Sequence, residues 1–313
     1  MTQIDRTTKP LLAIIGSINI DTVTEVSTFP GPGQTVIGNG RRVSLGGKGA
    51  NQAAAAAKLN ANVSLVGAIG AEDEGRNLVG ILTSAGVKTD QIAIIDGVAT
   101  GHATITVDDH GENIIIVTPG ANHSVDTMFI GNHLAVLHDA ELVLMQGELL
   151  PETIVRVAEA CAIVNRRFVL NLAPPLDLPE DILGLADPLI VNEHEARHLG
   201  FAPVGDESWE TAISQAVGSR VKSIVVTLGS EGAVAADDQG VHRVAAQSVT
   251  AIDTTGAGDA FVGALAASLA NGATLPVATQ YGVRAGSHSV QFRGTVESYP
   301  SAQDLSYATS ELV

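Results

Sequence analysis

The sequence predicts an α/β fold: a three-layer core with a mostly parallel central sheet, helices on both of its faces, and a small additional β-sheet. Three observations predict it. Val/Ile/Leu runs alternate with longer Ala-rich runs, the βαβα rhythm of a parallel sheet covered on both sides. Apolar residues make up 45% of the 313 positions and aromatics only 3%, which suits aliphatic strands under small-residue helices. Two segments break the rhythm with short alternating strands and no helical period.

Strands are expected at residues 11–18, 63–68, 142–146, 168–172, 189–192 and 223–228. Helices are expected at 50–59, 75–85, 151–164, 193–199, 209–218 and 258–270. In the first interruption, residues 21–45, alternating apolar residues flank Pro30-Gly31-Pro32-Gly33. The second, residues 101–118, reads as a hairpin of 103–107 and 114–117. The expected organisation is therefore a core of 1–20, 46–100 and 119–313, with a β lid inserted at 21–45 and 101–118.

Bulk properties exclude several function classes. A formal charge of −17 repels nucleic acid and anionic membranes, so neither is an expected partner. The single cysteine, Cys161, forms no intrachain disulfide, which fits a reducing cytoplasm. The apolar run 11–18 is too short to cross a bilayer, lacks a basic leader and cleavage site, and runs into Asn19 and Asp21. The expectation is a soluble cytoplasmic protein.

The chemistry concentrates near the C-terminus, at Asp253-Thr-Thr-Gly256-Ala257-Gly258-Asp259. Small residues leave the backbone N–H groups bare where a helix begins, and such an end attracts anions. Asp259 in the first turn puts a carboxylate beside that anion hole. A base next to a phosphate cradle is what moving a phosphoryl group onto a hydroxyl requires. The bland alternative is a helix cap. At the end of the first strand, Asn19 and Asp21 point to one face of an extended chain and suit vicinal sugar hydroxyls, though they equally suit a turn. Gly46-Gly47-Lys48-Gly49-Ala50-Asn51-Gln52 holds one of only five lysines inside a glycine turn at a helix start. It is not a Walker A loop, since Arg42 and Gly49 stand where Gly and Ser/Thr are needed.

The glycine-lysine turn and the Asp253–Asp259 stretch together resemble the ribokinase-type carbohydrate kinases. Gly16-Ser-Ile-Asn19, Met145-Gln-Gly-Glu148, Asn171-Leu-Ala-Pro174, Asn192-Glu-His-Glu195 and Thr227-Leu-Gly-Ser-Glu-Gly232 extend the likeness over nearly the whole chain. The resemblance implies that family's fold and an ATP-dependent kinase, most simply one that phosphorylates the 5-hydroxyl of D-ribose. By the same resemblance, Asn19, Asp21, Gly46, Gly47, Lys48, Asn51 and Glu148 hold the sugar, and Ala103 and Ile105 line its pocket from the lid. Asn192, Thr227, Gly229, Ser230, Gly232 and Gly258 serve the nucleotide, and Glu195 organises Mg²⁺ through water. Asp259 is the base, and Gly256, Ala257 and Gly258 form the anion hole.

A monovalent cation, K⁺, is implied behind the turn, held by Asp253, Thr255, Ser289, Phe292, Gly294 and Ser298. The family also implies a homodimer through the lid sheets. Arg284 and His288 depart from the pattern, which has small or apolar residues beside the adenine. Rival readings are a relative acting on another pentose, a hexose or a nucleoside, and a catalytically silent sugar sensor. His194-Glu195-Ala196-Arg197-His198 matches a zinc-protease pattern, but its helix is short and no third ligand is evident. A dinucleotide-binding dehydrogenase is disfavoured because Ser17 and Ile18 stand where a glycine fingerprint is needed.

Overall fold

Every residue from Leu12 to Ile15 in the first strand is buried, so both faces of that strand must be covered. The computed structural model, which describes residues 9–307, shows how. In chain order the strands are β1 (Leu11–Ile15), β2 (Asn19–Glu25), β3 (Gly40–Gly46), β4 (Asn62–Gly70), β5 (Ile92–Ile95), β6 (Gly101–Val107), β7 (Asn113–Thr118), β8 (Ala140–Gln146), β9 (Arg167–Asn171), β10 (Ala186–Asn192), β11 (Ile224–Thr227), β12 (Ala233–Asp237) and β13 (Gly240–Val244). The helices are α1 (Lys48–Lys58), α2 (Asp73–Ser84), α3 (Thr127–Asn132), α4 (Leu134–Asp139), α5 (Pro151–Ile163), α6 (Glu180–Leu183), α7 (Glu193–His198), α8 (Trp209–Ala216), α9 (Ala257–Ala270), α10 (Leu275–Ser289) and α11 (Ala302–Tyr307).

The large sheet has the order β13-β12-β11-β10-β9-β8-β1-β4-β5. From β5 to β11 all pairings are parallel, and β12 and β13 add an antiparallel edge. Alternate side chains of β1 feed different cores. Ala13 and Ile15 pack with Ile154, Val157 and Cys161 of α5, while Leu12 and Ile14 pack with Ala-rich α1 and with Leu265 of α9. The α/β class and the two covered faces are as the sequence predicts. No helix among the described residues is long and apolar enough to cross a membrane.

A separate sheet of order β3-β2-β6-β7 is built from the two segments that broke the rhythm. The strand expected over 11–18 stops at Ile15, and the chain passes into the second sheet at Asn19. An apolar run cannot show where its partners change. Here Gly16 N–H still donates to Val66 O, but Ile18 N–H donates to the Asn122 side chain instead of a strand. Among the strands with no expectation from sequence are β5, β12 and β13. The run Ala-Val-Ala-Ala-Asp of β12 has helical composition, and only its pairing with β11 and β13 makes it a strand.

The helix α9 is buried almost throughout and packs between α1 and α10. Its backbone approaches α1 closely because position 263 lacks a side chain. A Cβ there would stand 2.7 Å from both Ala55 Cβ and Gln52 O. Gly263→Ala is therefore expected to destabilise the protein by roughly 1–3 kcal/mol, as overpacking does. Gly80→Ala in α2 is the control: its Cβ meets nothing within 4 Å, and it should stabilise by about 0.5–1 kcal/mol. Urea denaturation of both variants checks the contrast; equal midpoints would contradict it.

Candidate active site

The helix α9 begins one residue before the sequence suggests, with Gly256 as N-cap at φ 74° and ψ 0°, a left-handed conformation that suits glycine. Asp259 is then the third helical residue, 7% exposed. Its two oxygens are held from α1. Asn51 Nδ2 donates to Oδ2 at 3.0 Å, and Gln52 Nε2 donates to Oδ1 at 2.9 Å. Gln52 is itself fixed by strand-end amides: its Nε2 also reaches Asn171 Oδ1 at 2.9 Å, and its Oε1 accepts from Gln146 Nε2 at 2.8 Å. Asn171 in turn donates to Ile190 O at 3.1 Å. Four amides from α1, β8 and β9 thus set the direction of one carboxylate.

Across from it lies the turn that opens α1. Glu148 Oε2 accepts from Ser17 Oγ and, at 2.9 Å, from Lys48 N–H, which closes the turn onto the end of β1. The room left by the glycines is taken by the chain itself rather than held open. A Cβ at Gly46 would meet the Asp21 carboxylate, and Cβ atoms at Gly47 and Gly49 would meet the backbone of residues 16–19. Asn19 Oδ1 accepts from Asn122 Nδ2 at 2.7 Å. Among the described residues, the buried acceptors Asp21 Oδ1, Asn51 Oδ1 and Gln146 Oε1 have no hydrogen-bond partner. Ala103 and Ile105 sit on β6 in register with Asp21 and Val23; Ala103 is buried and Ile105 half-buried.

The charges are crowded. Burial, then Glu148 and Asp259, push the Asp21 carboxyl up from 3.8 to about 7, although Lys48 opposes this. Lys48 is held above its ordinary value chiefly by Asp259, with Glu148, Glu195 and Asp21 adding and burial opposing. Desolvation raises Glu195 despite the hydrogen bond from Asn192 and the nearby Lys48.

Two cavities open at the start of α9. One, of about 140 Å³, is lined by Lys48, Asn192, Glu195, Gly256, Gly258 and Asp259 among others. The larger, of about 490 Å³, is lined by Thr227, Gly229, Ser230, Gly232, Ala257, Gly258 and the small residues of α10, Gly286 and Ser287. Thr227 and Gly258 line both, so the two adjoin. Arg284 and His288 do not line the larger cavity. Arg284 donates to Leu305 O in α11, and the His288 ring lies against Phe292 with Asp304 and Lys58 nearby. Helical period separates them from the lining face of Val283, Gly286, Ser287 and Val290.

Residues 9–302 match the model of the pfkB family carbohydrate kinases. The chain is 34% identical to a ribokinase of Haemophilus influenzae and 33% identical to one of Schizosaccharomyces pombe, in each case over 94% of this chain and 96% of the relative. It superposes with a TM-score of 0.88 on the structure of Arabidopsis thaliana ribokinase complexed with ribose and ATP, at 28% identity over 96% of this chain and 98% of that one. This chain belongs to the pfkB carbohydrate kinase family.

In this pfkB-family site the remaining expected residues fall as follows. Asn192 and Glu195 form a reciprocal capping box at the start of α7, Glu195 Oε2 accepting from Asn192 N–H at 2.7 Å and Asn192 Oδ1 accepting from Glu195 N–H at 2.8 Å. Glu195 is buried, whereas His194 and His198 are exposed and His198 faces Asp177 at 3.6 Å. Among the described residues no cluster of three metal-ligating His, Cys, Asp or Glu side chains occurs.

Asp253 ties the turn to the C-terminal loop: Oδ1 accepts from Thr255 N–H at 2.9 Å and Oδ2 from Gly294 N–H at 3.1 Å. Burial works against its ionisation, but those donors and Arg42 outweigh it and hold its pKa below the ordinary value. Ser289 and Ser298 hydroxyls lie 2.7 Å apart; Phe292 is half exposed. Sequence reasoning assigned no role to Ser17, Gln52, Asn122, Gln146, Asn171 or Tyr299. Ser17, Gln52, Gln146 and Asn171 each stand inside a motif that carries the family likeness, whereas Asn122 and Tyr299 stand in none.

The raised Asp21 carboxyl has a measurable consequence. The folded chain keeps that proton up to about pH 7, whereas the unfolded chain releases it near 3.8. Between those values the folded state binds more protons, so stability is fully present below 3.8 and is lost as pH rises to 7. Denaturation midpoints of wild type and Asp21→Asn, measured from pH 4 to 8, should diverge across this window, with wild type losing ground. A constant difference would contradict the shift.

Proposed function

We propose that this protein is an ATP-dependent sugar kinase that transfers the γ-phosphoryl group of ATP to the 5-hydroxyl of ribose, giving ribose 5-phosphate and ADP. One observation carries the reading: the buried carboxylate of Asp259 is held by Asn51, whose Oδ1 is an unpaired acceptor, and lines one of two adjoining cavities at a helix N-terminus. The ribokinase relatives and the ribose- and ATP-bound neighbour point to the same substrates.

In this reading Asp21 Oδ1 and Asn51 Oδ1 accept hydrogen bonds from sugar hydroxyls, which removes the cost of leaving buried acceptors unpaired. Asn19, Glu148 and the Gly46-Gly47-Lys48 turn shape the same pocket, and Ala103 and Ile105 cover it from the second sheet, which acts as a lid. Asp259, its direction set by Asn51 and Gln52, takes the proton of the attacking hydroxyl. The new O–P bond forms as the bond to the ADP oxygen breaks. Backbone N–H groups of Gly256, Ala257 and Gly258 face the transferring group, and Lys48 adds positive charge. Thr227, Gly229, Ser230 and Gly232 hold the nucleotide, with Asn192 near its phosphates.

Glu195 suits water-mediated organisation of Mg²⁺, because a cation relieves a carboxylate that burial has made reluctant to ionise. When bound, Mg²⁺ supplies charge neutralisation for the phosphates. The set of Asp253, Ser298 and the carbonyls of Thr255, Ser289, Phe292 and Gly294 offers only oxygen, which suits K⁺. A reducing cytoplasm suits the single, buried Cys161, whose thiol burial pushes up to about 12.

A coupled ADP-release assay over ribose, 2-deoxyribose, hexoses and nucleosides tests the substrate; no acceleration with any sugar sinks the reading. In the same assay Asp259→Asn should lose roughly 10²–10⁴-fold in kcat, the usual range for loss of a general base, while still binding sugar. Near-normal turnover would move the base elsewhere.

Turnover in tetramethylammonium buffer is expected to rise on addition of KCl. Equal rates would leave Asp253 as a structural tie between the turn and the loop.

A homodimer through the lid is supported by β7, an edge strand whose Ile114, Ile115, Ile116 and Val117 are all about half exposed, joined by Val43 on β3. Light scattering at micromolar concentration should show twice the chain mass; monomers alone would remove the dimer.

A further inference from the structure

Tyr299 is 2% exposed, and its hydroxyl has no hydrogen-bond partner. Leaving such a group unpaired is costly, and costs of this kind concentrate where a structure does work. Its place is specific. A Cβ on Gly256 would lie 2.8 Å from the Tyr299 oxygen, 3.3 Å from its ring and 3.1 Å from Thr295 Cγ2. The phenol therefore lies against the residue that caps α9 and heads the N–H groups beside Asp259. Its own loop is anchored on two sides. Thr295 Oγ1 donates to Leu45 O at 3.2 Å, next to the Gly46-Gly47 turn, and Ser298 Oγ donates to Thr295 O at 2.7 Å. The hydroxyl is thus a buried donor on a fixed support, aimed at a turn that is itself largely exposed on its other side.

We propose that the Tyr299 hydroxyl is a positioning group for the turn of residues 253–258, donating to a peptide carbonyl of that turn when it closes on the transferring phosphoryl group. The inference rests on the sugar-kinase reading, because a turn that only caps a helix has nothing to close on. Burial, with Asp259, Glu297 and Asp21 nearby, pushes the phenol well above its ordinary value, so it remains a neutral donor. Its hydrogen bond is made near the transition state and not in the resting protein, which is the condition for lowering a barrier and not merely tightening binding.

The test is Tyr299→Phe in the full-length protein, which removes one oxygen and keeps the ring against Gly256. The thermal midpoint is expected to stay level or rise, since an unpaired buried group is lost. KM for ribose should be unchanged and kcat about tenfold lower. Binding of ADP with aluminium fluoride, MgCl₂ and ribose should weaken about tenfold, while binding of ADP alone is unaltered. A kcat within twofold of wild type, or equal affinity for the aluminium fluoride complex, overturns the inference and leaves Tyr299 as packing. A midpoint that drops by several degrees also overturns it, because the hydroxyl then has a partner in the resting protein. If wild type shows no ATP-dependent phosphorylation of any sugar, the kinase reading fails first and takes this inference with it.

Discussion

The close approach of α1 to α9 is the constraint on which the site depends. Gly263 and the alanines of α1 let the two backbones come near enough for Asn51 and Gln52 to reach Asp259 from the side. A carboxylate at a helix start usually turns toward its own backbone N–H groups as a cap. Here two amides from a neighbouring helix hold it instead, and the N-cap of α9 is Gly256, which has no side chain. The anion-attracting end of α9 and the carboxylate are therefore separate tools, available at once to two different groups.

Charge is arranged with similar economy. Asp21, Glu148, Glu195 and Asp259 all act on one ammonium, that of Lys48, at the start of α1. Like charges this close disfavour one another, which is why burial and neighbours together drive Asp21 toward neutrality. A site short of positive charge, in a chain of net charge −17, has few ways to receive polyphosphate. Backbone N–H groups, one lysine and bound cations are the means consistent with its residues. Arg284 and His288 do not relieve the shortage, because they lie on the side of α10 that faces α11 and Asp304.

The two sheets divide the labour. The large sheet contributes the strand-end amides of Gln146 and Asn171, which fix Gln52 against Asp259, and the small one carries Asn19, Asp21 and Ala103. β2 follows β1 after only three residues, so one short segment of chain supplies a strand to each sheet.

Much of this was legible in the chain alone. The alternation of aliphatic and alanine-rich runs specifies covered parallel strands, because each period buries a different face. Residues close in sequence, such as Gly256 to Asp259 or Gly46 to Asn51, reveal their chemistry because local geometry already brings them together. The small-residue strand β12 and the end of β1 were not legible, since a strand is defined by partners that a run of residues does not name. Nor was the side of α10 that Arg284 would occupy, which α11 decides. The convergence of Gln146 and Asn171 on Gln52, and of Tyr299 on Gly256, came only with the tertiary structure. An amide at a strand end or a tyrosine in a loop looks the same in any register until strand order and helix packing bring distant residues within 3 Å. The sequence by itself determined which groups could do the chemistry; the packing of β8, β9, α1 and α9 decided where each one points, because hydrogen-bond direction is a property of neighbours in space.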